Sequence, residues 1–437
     1  MNSVRKLWVL GFKFTVGIIV YGIFIFGFSS HYLGLRFFSR TLAIVSAAFV
    51  FFYYWMSTIY GKVELGEKKT KPLFHTLALS LLVTNALTFL ALRVMTIHDH
   101  FDIVKDLLML LMVYVAQLVV SRMLIASGNS LYFINYTPDR TLVISDNDIY
   151  LDKILAYLES HKKQFKLLDV VKPTNINDIS LMDVDKVFLL GVDNQFLSKL
   201  LEKGYLLDIE FYFTGDLFQA LIGSSETYMV DDIMMYHYKT RKITDTQKTI
   251  KRLLDIAISS LAILVSAPIM LVIGILIKLD DGGPIIYSQD RLTENGRVFR
   301  IYKFRSMKQN SGDKPAQKED DRITKVGKFI RKIRVDELPQ LFNIIKGDMS
   351  IVGPRPESVT IAQEINKEVP EFGYRLKVKA GLTGTAQILG KYNTSSKEKL
   401  LMDIYYIENF SIFNDLRLMF QTLLVFIKKD STEGFDK

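Results

Sequence analysis

The stretch Ile256–Ile277 reads Ile-Ala-Ile-Ser-Ser-Leu-Ala-Ile-Leu-Val-Ser-Ala-Pro-Ile-Met-Leu-Val-Ile-Gly-Ile-Leu-Ile. As a helix it is ~33 Å long, enough to cross the ~30 Å hydrocarbon core of a bilayer. However, Ser266-Ala267-Pro268 lies at its middle, where proline removes a backbone hydrogen bond and bends a helix. Charges flank both ends, namely Lys251, Arg252, Lys278, Asp280 and Asp281.

We therefore predict a re-entrant membrane helix over residues 254–278, broken at Ser266 and Pro268, which enters and leaves on the same face of the membrane. The alternative is a kinked fifth crossing. That alternative would export the basic C-terminal part of the chain, against the positive-inside tendency.

Four further apolar stretches fill the first 125 residues. Each is near the ~20 residues that span a bilayer as a helix. Buried helices of a soluble protein are the alternative, but four such stretches in series favour membrane crossings, and we predict a four-helix transmembrane region over residues 1–128. The stretches are Leu7–Phe28, Ala43–Tyr60, Leu73–Leu92 and Leu107–Ile125.

The loops predict the orientation of these crossings. The Gly61–Lys71 loop contains four lysines and the N-terminus carries Arg5 and Lys6, so both are expected in the cytoplasm. An even number of crossings then returns the chain to the cytoplasmic face. The loop lysines are Lys62, Lys68, Lys69 and Lys71.

Residues 129–245 have a different sequence pattern. Short apolar runs typical of strands alternate with segments whose apolar residues have helical spacing. This alternation predicts a small parallel α/β domain of Rossmann-like topology. Its first turn, Ser145-Asp146-Asn147-Asp148, is acidic and lacks the glycines that let a backbone approach phosphates, so nucleotide binding is disfavoured and a spacer, dimerisation or regulatory role is preferred. The predicted strands are Thr141–Ser145, Phe165–Val171, Asp185–Gly191 and Asp208–Phe213, and the helices Tyr150–Ser160 and Gln195–Lys203.

The composition limits which partners and which reactive groups the protein can have. The net charge of +9 suits a polyanionic partner, and the long apolar runs favour lipid and phosphate over nucleic acid. The chain has no cysteine, which excludes disulfides, thiolate metal sites and a cysteine nucleophile.

The pair Asp336-Glu337 is the strongest candidate for catalysis. We expect Asp336 to cap a helix over Glu337–Ile345, where the positive helix end would keep its carboxylate ionised and attract phosphate. Capping alone is the alternative, but a cap needs none of the nearby cations Arg331, Lys332 and Arg334.

Other cations and a glycine turn surround this pair in sequence. Arg355 lies between Pro354 and Pro356, which restrict the backbone and fix where the guanidinium points. Lys303 and Arg305 alternate with aromatic residues, as on a strand with one charged face; a solvated face is the alternative. The turn Gly381–Thr385 resembles a phosphate-binding turn but lacks the lysine of a P-loop.

Together these motifs resemble the bacterial sugar transferase family, the polyprenyl-phosphate hexose-1-phosphate transferases or monotopic phosphoglycosyl transferases. The first part of the chain is similar to that of the long members, and one departure is Ser266-Ala267-Pro268, where small relatives have serine directly before proline. The matching motifs are Lys251–Asp255, Pro268, Gly283-Pro284, Gln289, Arg291, Lys303–Met307, Asp336–Leu341, Gly347–Pro356 and Lys379–Gly384.

The resemblance implies a mixed α/β, mostly helical catalytic domain over residues 246–437 on the cytoplasmic face of a bacterial inner membrane. It implies transfer of sugar 1-phosphate from a UDP-sugar to undecaprenyl phosphate, with release of UMP, as the first step of exopolysaccharide, capsule or O-antigen synthesis. It leaves homodimerisation open.

The resemblance also implies roles for single residues. Asp336 would be the nucleophile, and Glu337 would help it to hold Mg²⁺ or manage a proton. Arg355 would bind the transferring phosphoryl group. The further expected contacts to the diphosphate or the lipid phosphate are Lys303, Arg305, Arg334 and Gln340.

Two other functions compete with this one. A non-catalytic membrane scaffold or sensor of a polysaccharide assembly complex would explain the first half of the chain equally well, but not the cluster from Asp336 to Arg355. The multi-pass phosphoglycosyl transferases need around ten crossings, and this chain has too few apolar stretches.

Overall fold

Four long helices open the chain, and each contains one of the four apolar stretches. In the computed structural model, the described residues are 2–29, 31–32, 35, 38–60, 65–66, 69–97, 102–173, 179–240, 242–308, 320–391 and 393–427. Lys62 and Lys68 of the predicted cytoplasmic loop lie outside them, as does the side chain of Lys6. The four helices are α1 Asn2–Ser29, α2 Arg40–Tyr60, α3 Thr70–Met95 and α4 Ile103–Asn135.

The chain divides into two compact units, Met1–Thr214 and Gly215–Lys437. The four helices of the first unit share one apolar core. On α1, buried residues such as Val16, Val20 and Phe24 recur every four residues, while Phe14 and Phe26 are exposed. Apolar side chains that face outward suit a lipid environment. α1 to α4, and a later helix over Asp245–Asp280, have the length and hydropathy of membrane-spanning helices.

A parallel sheet follows the four helices in the first unit. Its strand order is β2-β1-β3-β4, with every neighbouring pair parallel, which matches the first four strands of the 2-1-3-4-5 order found in flavodoxin-like doubly wound sheets. The predicted strands and both predicted helices are confirmed to within a few residues. The elements are β1 Asp139–Ser145, α5 Asp148–Ser160, β2 Phe165–Val171, β3 Lys186–Leu190, α6 Asn194–Tyr205 and β4 Glu210–Phe213.

The second unit begins with a short helix and an exposed hairpin and continues with a long helix, α8. A capping box at Thr244 begins α8, and Gly282, in the left-handed conformation with φ 73°, ends it. The elements are α7 Leu217–Ile222, β5 Glu226–Val230, β6 Ile233–His237, α8 Asp245–Asp281, β7 Ile286–Leu292, β8 Val298–Phe304, α9 Lys325–Lys332, α10 Gln340–Lys346, β9 Ser350–Val352, α11 Val359–Glu368, β10 Gly381–Thr383, α12 Thr385–Leu389, α13 Ser396–Glu408 and α14 Ile412–Ile427.

The helix α8 runs through Pro268 without the interruption expected there. It has 37 residues and is therefore ~55 Å long. Proline has a backbone φ that fits a helix and removes only one N–H donor, so a helix can continue past it. Ser266 Oγ donates to Ala262 O at 2.6 Å one turn earlier. The expected helix–break–helix is thus corrected to one helix, and a return to the same membrane face stays a prediction.

The N-terminal half of α8 is fastened to the core of its unit by three charged side chains. Lys251 Nζ donates to Val352 O and Asp415, Arg252 donates to the final carbonyls of α10, and Asp255 accepts from Ile351 N at 3.0 Å. These contacts hold β9 and the end of α10, the two elements that come directly before the turn carrying Arg355.

Candidate active site

Glu337 lies at the centre of a compact charge cluster. Lys303 Nζ, at the end of β8, is 2.8 Å from Glu337 Oε1, and Arg355 Nη2 is 2.9 Å from the same oxygen. The side chain of Glu337 is 18% exposed, whereas that of Arg355 is 44% exposed. The carboxylate therefore anchors two cations, and Arg355 keeps part of its guanidinium open to a ligand.

The turn that carries Asp336 differs from the expected helix cap. Val335–Glu337 form one turn of 3-10 helix, and α10 begins only at Gln340, with Pro339 before it. Arg334, before the turn, has φ 55°, a conformation that is costly for a residue other than glycine. The capping role of Asp336 is therefore wrong: the kink at Arg334 turns the chain into a 3-10 turn before α10 can start.

The electrostatics of the two adjacent carboxylates diverge. Burial would raise the pKa of Glu337, but Arg355 and Lys303 outweigh it and hold that pKa well below its ordinary value. Burial raises the pKa of Asp336, and the charge of Glu337 adds to this, while Lys303 and Arg331 act in the opposite sense. The expected lowering of the Asp336 pKa at a helix end is thus also corrected.

The two carboxylates are unequally available to a metal. Glu337 Oε1 is taken by its two cations. Across the residues that the structure describes, no cation lies within ion-pair distance of the Asp336 carboxylate, and no group of three acidic or histidine side chains forms a ready metal site. Mg²⁺ commonly uses one or two carboxylates and completes its shell with substrate phosphates and water. Asp336 fits that pattern.

The backbone around Arg355 is held from outside its own turn. Gly381 N donates to Pro354 O at 2.9 Å, and Gly353 N donates to Thr383 O at 2.9 Å. The turn Gly381–Thr385, which resembles a phosphate-binding turn in sequence, uses these groups to fix the Arg355 turn.

The remaining predicted residues divide into two groups. Arg334 adjoins the cluster, because Glu337, Arg355 and Asp336 all influence its pKa, which burial lowers. Arg305 is buried against the turn after α8 and leaves no room for a Cβ at Gly283. Gln340 is 3% exposed at the start of α10. The structure thus brings Lys303, Arg334 and Arg355 around the carboxylate pair, and places Arg305 and Gln340 in buried positions.

The structure also adds charged residues that the sequence did not single out. Arg375 lies on a 3-10 segment, Pro370–Lys377, and pairs with Asp403 of α13 at 2.8 Å. Arg375 also contacts the Arg355 turn. In sequence these are ordinary charges on helical segments, and no local pattern distinguishes them from solvated ones.

Comparisons with known proteins match the C-terminal part of the chain. The family model described as Bacterial sugar transferase matches residues 246–429. A UDP-N-acetylgalactosamine-undecaprenyl-phosphate N-acetylgalactosaminephosphotransferase from Aeromonas hydrophila is 46% identical over 180 residues, which cover 40% of this chain and 43% of that protein. A UDP-glucose:undecaprenyl-phosphate glucose-1-phosphate transferase from Klebsiella pneumoniae is 37% identical over 225 residues, 49% of this chain and 48% of that one.

A shorter relative is matched over almost its whole length. The exopolysaccharide production protein PSS of Rhizobium leguminosarum bv. phaseoli is 38% identical over 187 residues, which are 40% of this chain and 94% of that protein. The matched part spans less than half the length of the Aeromonas and Klebsiella proteins. The chain is a protein with five described helices of membrane-spanning length and hydropathy. It belongs to the bacterial sugar transferase family.

Proposed function

We propose that the protein transfers sugar 1-phosphate from a UDP-sugar to undecaprenyl phosphate, releasing UMP, as the first step of exopolysaccharide, capsule or O-antigen synthesis. The observation that carries this proposal is that the two adjacent carboxylates, Asp336 and Glu337, make different contacts. Glu337 holds Lys303 and Arg355 in place, while the Asp336 carboxylate next to it is free of any ion pair among the described residues. The names of the relatives supply the class of donor and acceptor.

In the first step, a carboxylate oxygen of Asp336 attacks the sugar-bearing phosphorus of the donor. A phosphorus–oxygen bond forms, the bond to the UMP oxygen breaks, and UMP leaves with that electron pair. Arg355 offsets negative charge on the phosphoryl oxygens, because its guanidinium is anchored on one side and exposed on the other.

In the second step, an oxygen of undecaprenyl phosphate attacks the same phosphorus and Asp336 leaves as a carboxylate. The product is a sugar-diphosphoundecaprenol. Glu337 stays ionised throughout, since its pKa is held far down by Lys303 and Arg355. Its role is to keep both cations on the reacting group.

Mg²⁺ would be held chiefly by Asp336 together with donor phosphate oxygens, and it would supply charge neutralisation at the diphosphate. The Glu337 carboxylate, which was expected to share the metal, is engaged with two cations and would act on it only indirectly.

The membrane arrangement follows from the apolar helices. α1 to α4 would cross the inner membrane, and α8 would bend at Pro268 within the membrane and return to the cytoplasmic face, which leaves the active site on that face beside the acceptor's phosphate. In support, one side of α8 packs on its unit through Asp255, Ser259 and Ile273, while Leu264, Leu271 and other large apolar side chains are exposed.

Mass spectrometry tests the chemistry. The purified protein is mixed with Mg²⁺ and a panel of UDP-sugars without acceptor, and the wild type is expected to gain one sugar-phosphate mass while releasing an equal amount of UMP. Asp336→Asn should gain none. UMP release that continues without any adduct on Asp336 would refute the covalent route, and no UMP with any donor would refute the function.

Thiol labelling tests the membrane arrangement. Because the chain has no cysteine, Lys397→Cys on α13 would be its only thiol. An impermeant maleimide added to intact cells should leave it unmodified and should label Phe38→Cys, an exposed position between α1 and α2. Labelling of both would show that α8 crosses the membrane.

A further inference from the structure

Arg375 is a buried cation that the proposed reaction does not use. It is 4% exposed, and its partner Asp403 is 1% exposed. Arg375 Nη2 lies 2.8 Å from Asp403 Oδ2, and its Nη1 lies 3.7 Å from Glu357 Oε1. A buried pair of this kind costs desolvation energy and is weak evidence for stability alone. A second contact indicates what it does.

Arg375 Nη2 also donates to the main-chain carbonyl of Arg355, at 2.8 Å. Among the described residues, no backbone N–H of a turn or loop donates to that carbonyl, so its donor comes from the Arg375 side chain. The neighbouring carbonyls are held in the same way. Gly381 N donates to Pro354 O at 2.9 Å, and Arg291 Nη1 donates to Pro356 O at 3.2 Å.

The three donors therefore come from three different segments of the chain, and they hold three consecutive carbonyl groups by hydrogen bonds. Of these grips, Arg375 holds the residue whose guanidinium reaches Glu337, and it is tied through Asp403 to the rigid helix α13. A shift of the Arg355 backbone would move its side chain relative to both Glu337 and a bound phosphoryl group. A misplacement of ~1 Å can cost about 10²-fold in rate.

We propose that Arg375, held by Asp403, is a positioning residue that aims Arg355 at the transferring phosphoryl group. The inference rests on the proposed function. It adds a pathway from α13 to the reacting atoms, by way of the Arg355 main chain, that no motif around the carboxylate pair contains.

The charge of Asp403 makes the pathway sensitive to pH. Burial raises the pKa of Asp403 to about 6, against the opposing effect of Arg375; Glu357 adds to the rise and Lys399 opposes it. Above about pH 6 the carboxylate is ionised and balances Arg375. As the pH falls through that value the carboxylate is neutralised, and Arg375 retains only Glu357 and the Arg355 carbonyl as partners.

The neighbouring residue Lys377 offers a matched control. It lies on the same 3-10 segment and pairs with another buried carboxylate of α13, Glu408, at 3.1 Å. No contact to the Arg355 turn is among its described contacts. Arg375→Gln and Lys377→Gln thus each remove an ion pair between this 3-10 segment and a buried carboxylate of α13, and only the first removes the hydrogen bond to Arg355.

The experiment measures UMP release by full-length protein in nanodiscs, together with thermal unfolding. We expect Arg375→Gln to lower kcat at least about tenfold, Arg375→Lys to recover part of this loss, and Lys377→Gln to leave kcat within about twofold. In an Arg355→Ala background, Arg375→Gln should cost almost nothing more, since the residue it positions is gone.

Equal losses for Arg375→Gln and Lys377→Gln, or additive losses with Arg355→Ala, would overturn the positioning role while UMP release by the wild type upholds the proposed function. A wild type without UMP release would overturn both. Should Arg375→Gln fail to fold, Asp403→Asn replaces it in the same comparisons. Its kcat should also lack the wild type's decline near pH 6, and a decline that persists unchanged would count against the role.

Discussion

Two turns in this molecule precede helices and carry acidic residues, yet they differ in what those residues do. In the turn between β1 and α5, Asn147 Oδ1 accepts from Tyr150 N at 3.1 Å, and Ser145 Oγ donates to Asn147 O at 3.0 Å. Its polar groups satisfy its own backbone. In the turn before α10, Asp336 caps nothing, and Glu337 binds two cations brought from distant segments.

A functional turn can be distinguished from a structural one by whether its side chains are used to cap the backbone. A helix start with acidic side chains is common, and side chains that are used as caps are not available for chemistry. The turn before α10 leaves its backbone uncapped, carries a strained Arg334 with φ 55°, and concentrates charge in a half-buried place. Backbone strain together with charged side chains that are not used as caps is typical of active sites.

The largest expected effect comes from substituting Asp336, the proposed nucleophile in the turn before α10. Asp336→Asn keeps the shape of the side chain but provides no carboxylate oxygen to attack phosphorus, so kcat for UMP release should fall at least about 10³-fold. The unfolding temperature should not drop, because the substitution removes a carboxylate whose charge burial disfavours.

The control for this change lies in the other turn. Asp148→Asn at the start of α5 alters a carboxylate in the same kind of position and should leave kcat unchanged. Asp336→Asn with more than about a tenth of wild-type activity would contradict the nucleophile assignment.

The next effect compares Arg355 with Arg140, an arginine at the start of β1 in the first unit. Arg355→Lys keeps the charge but loses the planar fork that reaches Glu337 and a phosphoryl group together, and we expect kcat/KM to fall about 10²-fold. Arg140→Lys, in the first unit, changes an arginine that grips Asp183 and Asp185, and should leave kcat/KM within about twofold. Similar losses in the two variants would remove the distinction between them.

A third effect is a shift in pH dependence. Because burial and Glu337 raise the Asp336 pKa, lowering the pH protonates Asp336 sooner than an exposed aspartate. Asp336 therefore contributes an acid limb to the kcat profile in addition to the decline that Asp403 causes. Lys303 acts to lower that pKa, so Lys303→Gln should move the acid limb to higher pH. Glu337, whose pKa is far down, contributes nothing to it.

The measurement is kcat from about pH 5 to 9 for the wild type and Lys303→Gln. A limb caused by Asp403, whose pKa is about 6, should not move with Lys303→Gln, because Lys303 is absent from the charges acting on Asp403. An acid limb that moves to lower pH would show that Lys303 does not act on the titrating group.

Sequence reasoning reached much of this fold because local patterns specify it. Short apolar runs between helical segments predicted β1 to β4 within a few residues, and alternation around Lys303 predicted β8. The helix start before α10 was misplaced because Pro339 and a left-handed Arg334 together redirect the chain, and backbone handedness at a non-glycine residue has no sequence signature.

The candidate site was predictable only in part. Asp336, Glu337 and Arg355 stand in a distinctive order, and the cluster contains them. Arg305 has the same charge as Lys303 two residues earlier, but lies beyond the last residue of β8 against Gly283. The pairing of Arg375 with Asp403 joins residues far apart in sequence, and such pairs follow from tertiary packing rather than from any local pattern.

The smallest expected effect tests the turn between β1 and α5 itself. Asn147→Ala removes a helix cap, which is worth about 1 kcal/mol, so the first unit should unfold more easily while kcat and KM for the UDP-sugar stay unchanged. Thr244→Ala removes the equivalent cap of α8 and should destabilise the second unit by a similar amount. Thermal unfolding and UMP release are measured on both. A higher KM in Asn147→Ala would mean that this turn binds the donor after all, since a cap that serves only its own helix has no means of changing substrate affinity.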